Sequence, residues 1–126
     1  MQPPAYQEEL ISVAGKTIQY FTMQGDLLYS EETDLKVLIL DHLKPDIKGL
    51  AVDLSRVTRI DSYALGVLAG LTSRLAVKGA RLILVGANGH LQTVLERSSM
   101  MDIFIMADNR EQAVGWFNRS LSLSEI

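Results

Sequence analysis

Residues 49–85 read GLAVDLSRVTRIDSYALGVLAGLTSRLAVKGARLILV. Gly49 to Leu54 is a short apolar run with Asp53 near its close, and reads as a buried strand. A loop is expected to follow the strand, before Ile60-Asp61-Ser62 at a helix start. Ser62 to Lys78 places Leu65, Leu68, Leu71 and Leu75 on one helical stripe, with Ala64 and Val67 beside it, the strongest helix signal in the chain. Gly79 is a suitable stop for that helix. Arg81 to Val85 is almost uniformly leucine or β-branched, the pattern of a central strand covered on both faces. A strand, a helix and a strand in this order predict a parallel pair with a right-handed crossover, and so an α/β fold.

Upstream, Glu9 to Val13 and Thr17 to Met23 are rich in β-formers, and Gly15-Lys16 between them reads as a hairpin turn. Gln24-Gly25-Asp26 is expected to stop the second strand. A first helix is expected from near Ser30, where Glu31, Glu32 and Asp34 suit the positive end of a helix dipole. Leu35, Leu38, Ile39 and His42 form its stripe, and Lys44-Pro45 ends it. Downstream, Gly86-Ala87-Asn88-Gly89 is a turn, and Leu91, Val94 and Leu95 mark a third helix ending near Ser98-Ser99. Ile103-Phe104-Ile105 reads as a short strand. Asp108 or Asn109 can cap a last helix in which Ala113, Val114, Trp116 and Phe117 pack. Met1 to Tyr6 and Ser120 to Ile126 read as loose ends. The whole is expected to be a mixed, mostly parallel sheet with an N-terminal hairpin and about four helices.

The 126 residues make one domain, and 48% hydrophobic content suffices for one core. No stretch approaches the ~20 apolar residues of a spanning helix. Met1-Gln2-Pro3-Pro4 is not the start of a signal peptide, so a cytoplasmic protein is expected. The absence of cysteine removes disulfides, thiolate nucleophiles and zinc–cysteine sites. A net charge of -3, from 12 basic and 15 acidic residues, does not suit a phosphate backbone, so nucleic acid is not an expected partner.

Enzyme readings find no support in the residues. His42 continues an apolar stripe and suits packing, and His90 follows Gly89 at a helix start and suits the surface. Neither has metal-site spacing around it, and no metal or cofactor is expected. Gly86 to Gly89 matches neither a Walker loop nor a dinucleotide fingerprint. Gly66 and Gly70 stand one turn apart, and close packing against the sheet is expected of them. Ile60-Asp61-Ser62 at a helix start has two readings. Asp61 or Ser62 can be an ordinary N-cap. Alternatively, an exposed serine there can take a phosphate at the positive end of the dipole, adding roughly two negative charges.

The sequence resembles the STAS domain of bacterial anti-sigma-factor antagonists and sulfate transporters. The family core reads Asp-Ser-Ser-Gly-Leu-Gly after a strand of the type Val-Asp-Leu-Ser. Here Asp61-Ser62-Tyr63-Ala64-Leu65-Gly66 follows Val52-Asp53-Leu54-Ser55. Lys78 to Val85 is similar to the family's next turn and strand, and Val94-Leu95 before Met101-Asp102-Ile103-Phe104 to its next helix and sequel. Asn109-Arg110-Glu111-Gln112-Ala113 resembles the opening of its last helix. The resemblance covers nearly the whole chain and implies a single STAS-like domain over residues 1–126, with a core over 5–119.

It also implies a phosphoacceptor at Ser62 and a partner-binding edge formed by Asp26, Asp61, Ser62, Tyr63, Ala64 and Gly66. The implied partners are an anti-sigma factor that is itself a serine kinase, and a phosphatase that resets the switch. A monomer or weak dimer is the usual state. Three positions depart from the family pattern: Tyr63 replaces a serine, Ala64 a glycine, and Leu28 the final aspartate of Gly-Glu-Leu-Asp. A helix tolerates the alanine well, and Leu28 and the bulky Tyr63 suit an alternative, a non-switching STAS subunit of a lipid-transport ATPase complex or a signalling scaffold.

Overall fold

In the computed structural model, which describes residues 5–30 and 34–123, the apolar runs of the sequence pair into one five-stranded sheet. Strands β1 (Ala5–Val13) and β2 (Lys16–Leu27) form an antiparallel hairpin. Its turn is Ala14-Gly15, one residue earlier than expected, and both residues have positive φ as a two-residue hairpin turn requires. Helix α1 (Leu35–His42) leads to β3 (Gly49–Ile60), α2 (Ser62–Val77) to β4 (Arg81–Val85), and α3 (Gly89–Arg97) through a 3₁₀ turn at Met101–Ile103 to β5 (Ile105–Ala107). Helix α4 (Arg110–Leu123) closes the described chain. The sheet order is β1-β2-β3-β4-β5, with every pair after the hairpin parallel.

Two cores lie on the two faces of this sheet. Leu50, Val52, Leu54, Leu82 and Leu84 point to the face covered by α1, α2 and α3, where Ile39, Leu68, Leu71 and Leu95 meet them. Ala51, Ile83 and Val85 point to the other face, covered by α4 through Ala113, Phe117 and Leu121. That division is why β4 reads as continuously apolar and why α4 is needed to bury half the sheet. Arg110 at the start of α4 lies 4.7 Å over the Tyr20 ring and pairs with Glu9, tying the helix to the hairpin. Asn109 caps α4 by accepting from the Gln112 N–H at 2.9 Å, and Gln112 reaches back to the Asp108 N–H at 2.8 Å.

Several expectations are corrected. β1 begins at Ala5, so Ala5 and Tyr6 are strand and not loose end; Met1–Pro4 lie outside the described residues. Gln24-Gly25-Asp26 does not stop β2, which runs on to Leu27; Gly25 takes a φ of 84° beside a register shift and the ladder resumes after it. β3 does not end at Leu54 but continues to Ile60, paired along the extended β2. α1 starts at Leu35 with Asp34 as its cap, later than Ser30, and Glu31–Thr33 lie outside the described residues. The strand expected at 103–105 falls at 105–107, after the 3₁₀ turn. Ser120–Leu123 are helical, and Leu121 anchors them in the core; 124–126 lie outside the described residues.

Gly66 and Gly70 also differ from expectation. Both are exposed, and a Cβ built on either meets nothing within 4 Å. The sheet-facing positions of α2 belong to Ala64, Leu65, Leu68, Leu71 and Leu75. The glycines instead floor an open groove on the outer side of the helix.

Candidate functional site

The β2–β3 extension delivers Ile60 to the start of α2, and the junction is fastened by Asp61. Its N–H donates to the Leu27 carbonyl at 3.2 Å, which closes the end of β2 onto the helix start. One carboxylate oxygen, Oδ1, accepts from the Ala64 N–H at 2.9 Å, the N-cap bond. The other, Oδ2, accepts from the Tyr29 N–H at 2.7 Å, so the chain leaving β2 is held against the same residue. Of the two cap candidates, Asp61 is the cap.

Ser62 is therefore released from that duty. It is the first helical residue, it is exposed, and its hydroxyl makes no hydrogen bond with the described residues. Tyr63 is half-buried and lines the same groove as Ser62. Its hydroxyl donates to Asp34 Oδ1 at 2.7 Å, and its ring meets Tyr29 edge to face with centroids 5.3 Å apart. Asp34 is the cap of α1, so Tyr63 locks the starts of α1 and α2 together. The Tyr63 hydroxyl holds the Asp34 carboxyl below its usual range, and the carboxylate in turn raises the Tyr63 phenol.

A depressed carboxyl stabilises the fold above the ordinary aspartate range and loses that contribution as pH falls through the depressed value. On the acid side of an NMR titration the Tyr63 ring signals are expected to move only at pH below the ordinary aspartate range. In Tyr63→Phe the Asp34 midpoint is expected to rise, because its first cause of depression is gone.

Asp26 lies on the same end of β2 and faces its register partner Arg59, with Asp26 Oδ2 accepting from the Arg59 guanidinium at 2.6 Å. This bond holds the Asp26 carboxyl below its usual range. Both side chains are largely open to solvent, and such pairs contribute little to stability. Ala64 is fully buried and presents no side chain to a partner, which corrects its inclusion in the binding edge. Gly66 is exposed on the outer side of α2 and, with Ser62, Val67, Gly70, Arg74 and Lys36, lines a groove of about 370 Å³ between α2 and α1.

The structure thus brings Asp26, Asp61, Ser62 and Tyr63 to one pole and places Gly66 just along the helix. Sequence reasoning missed Tyr29 and Asp34, which hold that pole together through contacts across about thirty residues that no local pattern signals. His42 is half-buried, with Nδ1 2.7 Å from the Leu38 carbonyl and Nε2 2.7 Å from the Tyr6 hydroxyl, and His90 is exposed.

The STAS domain model matches residues 13–113, most of the chain. The chain belongs to the STAS family. Its fold is similar to that of a sulfate transporter family protein from Wolinella succinogenes, with TM-score 0.73 and 17% identity over 89% of this STAS domain and 92% of that chain. A putative anti-sigma factor antagonist from Thermotoga maritima gives TM-score 0.72 and 21% identity over 86% and 92%. The phosphorylated form of the Bacillus cell fate determinant SpoIIAA gives TM-score 0.64 and 18% identity over 88% and 97%. A search of curated proteins found no match. The likeness to these structures establishes the fold: a hairpin-led mixed sheet with four helices. Among the described residues no helix is long and apolar enough to cross a membrane.

Proposed function

We propose that this STAS domain is an anti-sigma-factor antagonist acting in the cytoplasm as a binding protein and not as an enzyme. Unphosphorylated, it binds an anti-sigma factor that is also a serine kinase, and so frees a sigma factor for transcription. The kinase phosphorylates Ser62, the complex parts, and a phosphatase resets the protein. The carrying observation is the division of labour between Asp61 and Ser62. Asp61 caps the helix, so Ser62 offers a free hydroxyl at the positive end of α2 without a structural bond to give up. A phosphate there would add roughly two negative charges beside the Asp61 carboxylate. Such a change alters which surface the pole attracts while leaving the fold intact.

The test is capture of partners from the native lysate on wild type, Ser62→Ala and Ser62→Asp. A kinase-like anti-sigma factor is expected on the first two and weakened at least about tenfold on Ser62→Asp, a change of about 1.4 kcal/mol. Equal capture on all three would overturn the switch.

A second reading is favoured by Tyr63, whose hydroxyl is already committed to Asp34 beside the serine. In that reading the domain is a non-switching subunit of a lipid-transport ATPase complex or a signalling scaffold. An ATPase held equally by all three baits would select it.

A further inference from the structure

At the opposite pole from Ser62 lies a larger groove, of about 660 Å³, between the end of α1, residues 44–48 and the end of α2. The volume is within the range of ligand clefts, about 300–1,000 Å³. Buried Ile47 and Leu75 and half-buried Leu40 and Leu43 supply its apolar lining. Four cations, Lys44, Lys48, Arg74 and Lys78, stand around it with the single carboxylate Asp46. None of the four forms an ion pair with the described residues.

This is a segregation of charge. The chain as a whole carries a net charge of -3, yet one third of its 12 basic residues gather here. The negative C-terminal end of α2 accounts for Arg74 and Lys78. It does not account for Lys44 and Lys48, which lie outside any helix on the other wall. Cations on both walls of an apolar trough suit a ligand that is apolar on one side and multiply negative on its flanks. A flat anionic membrane does not enter a concavity, and a nucleic-acid backbone has no apolar face to give its floor.

We propose that this groove docks an acidic amphipathic helix of a partner protein, its apolar side chains on Leu43, Ile47 and Leu75 and its carboxylates on the four cations. Helix-in-groove recognition uses this arrangement of a greasy seam with charged edges. The site is distinct from the phosphoserine pole: its nearest α2 residue, Arg74, also closes the groove that starts at Ser62, but lies twelve residues, roughly 18 Å, along the helix from that serine.

The probe is a fluorescein-labelled synthetic helix with leucines at i, i+3, i+4 and i+7 and glutamates on its flanks, followed by anisotropy with the full chain. Wild type and Ser62→Asp are expected to bind it equally. Lys44→Glu/Lys78→Glu is expected to weaken binding at least about tenfold. Raising salt from about 0.05 to about 0.5 M should weaken it too, as for exposed charges. A helix with lysines in place of the glutamates is expected not to bind. Lys48→Gln, which removes one charge without reversing it, gives a smaller loss and decides the matter if the double variant does not fold. No binding of the acidic helix, equal binding of the basic one, binding indifferent to these substitutions, or capture by phosphatidylglycerol vesicles in place of the helix would each overturn the proposal.

Discussion

Gly49→Ala is expected to lower the stability of the domain by about 3 kcal/mol, the upper part of the overpacking range. Gly49 opens β3 at the centre of the sheet and is buried. A Cβ there would stand 2.7 Å from both Ile18 Cδ1 and Phe117 Cζ, closer than real Cβ atoms approach. Neither neighbour can yield cheaply. Both are almost fully buried, and Phe117 is the central side chain of α4, the one described helix on its face of the sheet. At this chain length the loss corresponds to a fall in Tm of roughly 10 °C. Urea unfolding should show a lower midpoint with an unchanged slope. Ile18→Val removes the offending Cδ1, so in a double-mutant cycle it should return part of the loss, with a coupling of about 1 kcal/mol. Additive losses would mean that the strain lies elsewhere. The pole around Ser62 is at the far end of β3, so the partner binding proposed for it should survive in whatever fraction remains folded.

The same strand explains what the sequence made legible and what it hid. Leu50, Ala51 and Val52 are covered on both faces, so composition alone marks them as strand, and the helix after Asp61 carries an unbroken leucine stripe. Beyond Asp53 the partner strand β4 ends, and Ser55, Arg56, Thr58 and Arg59 are exposed. The buried residues there are Leu54, Val57 and Ile60, three apart. Two register shifts against β2 each add a residue to β3, and each returns the next apolar side chain to the same core. Period-two reading cannot find such a strand. Gly66 and Gly70 are ambiguous for a different reason: a small residue is equally compatible with a tight contact and with an open groove, and only the position of the leucine stripe decides between them. Asp61 and Ser62 could both cap. The choice was made by Tyr29, whose N–H takes the second Asp61 oxygen across the β2 exit, a contact with no local signature.

That choice has a measurable consequence. Asp61→Ala removes the acceptor of two N–H groups, that of Ala64 inside the helix and that of Tyr29 outside it. Loss of a cap costs about 1 kcal/mol, and a freed amide bond adds about 0.5–1.5 kcal/mol, so a total near 2 kcal/mol is expected. Asp61→Asn keeps a good cap oxygen but turns an amide N–H toward the Tyr29 N–H, so about half that loss is expected. Ser62→Ala deletes an exposed hydroxyl with no described partner and should stay within about 0.5 kcal/mol of wild type. Chemical denaturation of the three variants is the measurement, and the order of the losses is the result that matters. If Ser62→Ala equalled or exceeded Asp61→Ala, Ser62 would be the structural cap, and a phosphate on it would act by fraying α2. If Asp61→Ala is the worst, as the geometry requires, the helix start is held without Ser62. Partner capture should then separate the two residues again. Asp61→Ala loosens Tyr29, and with it the Tyr63 ring that it meets, so binding weakens even in the folded fraction. Ser62→Ala leaves that surface in place and binds as wild type does.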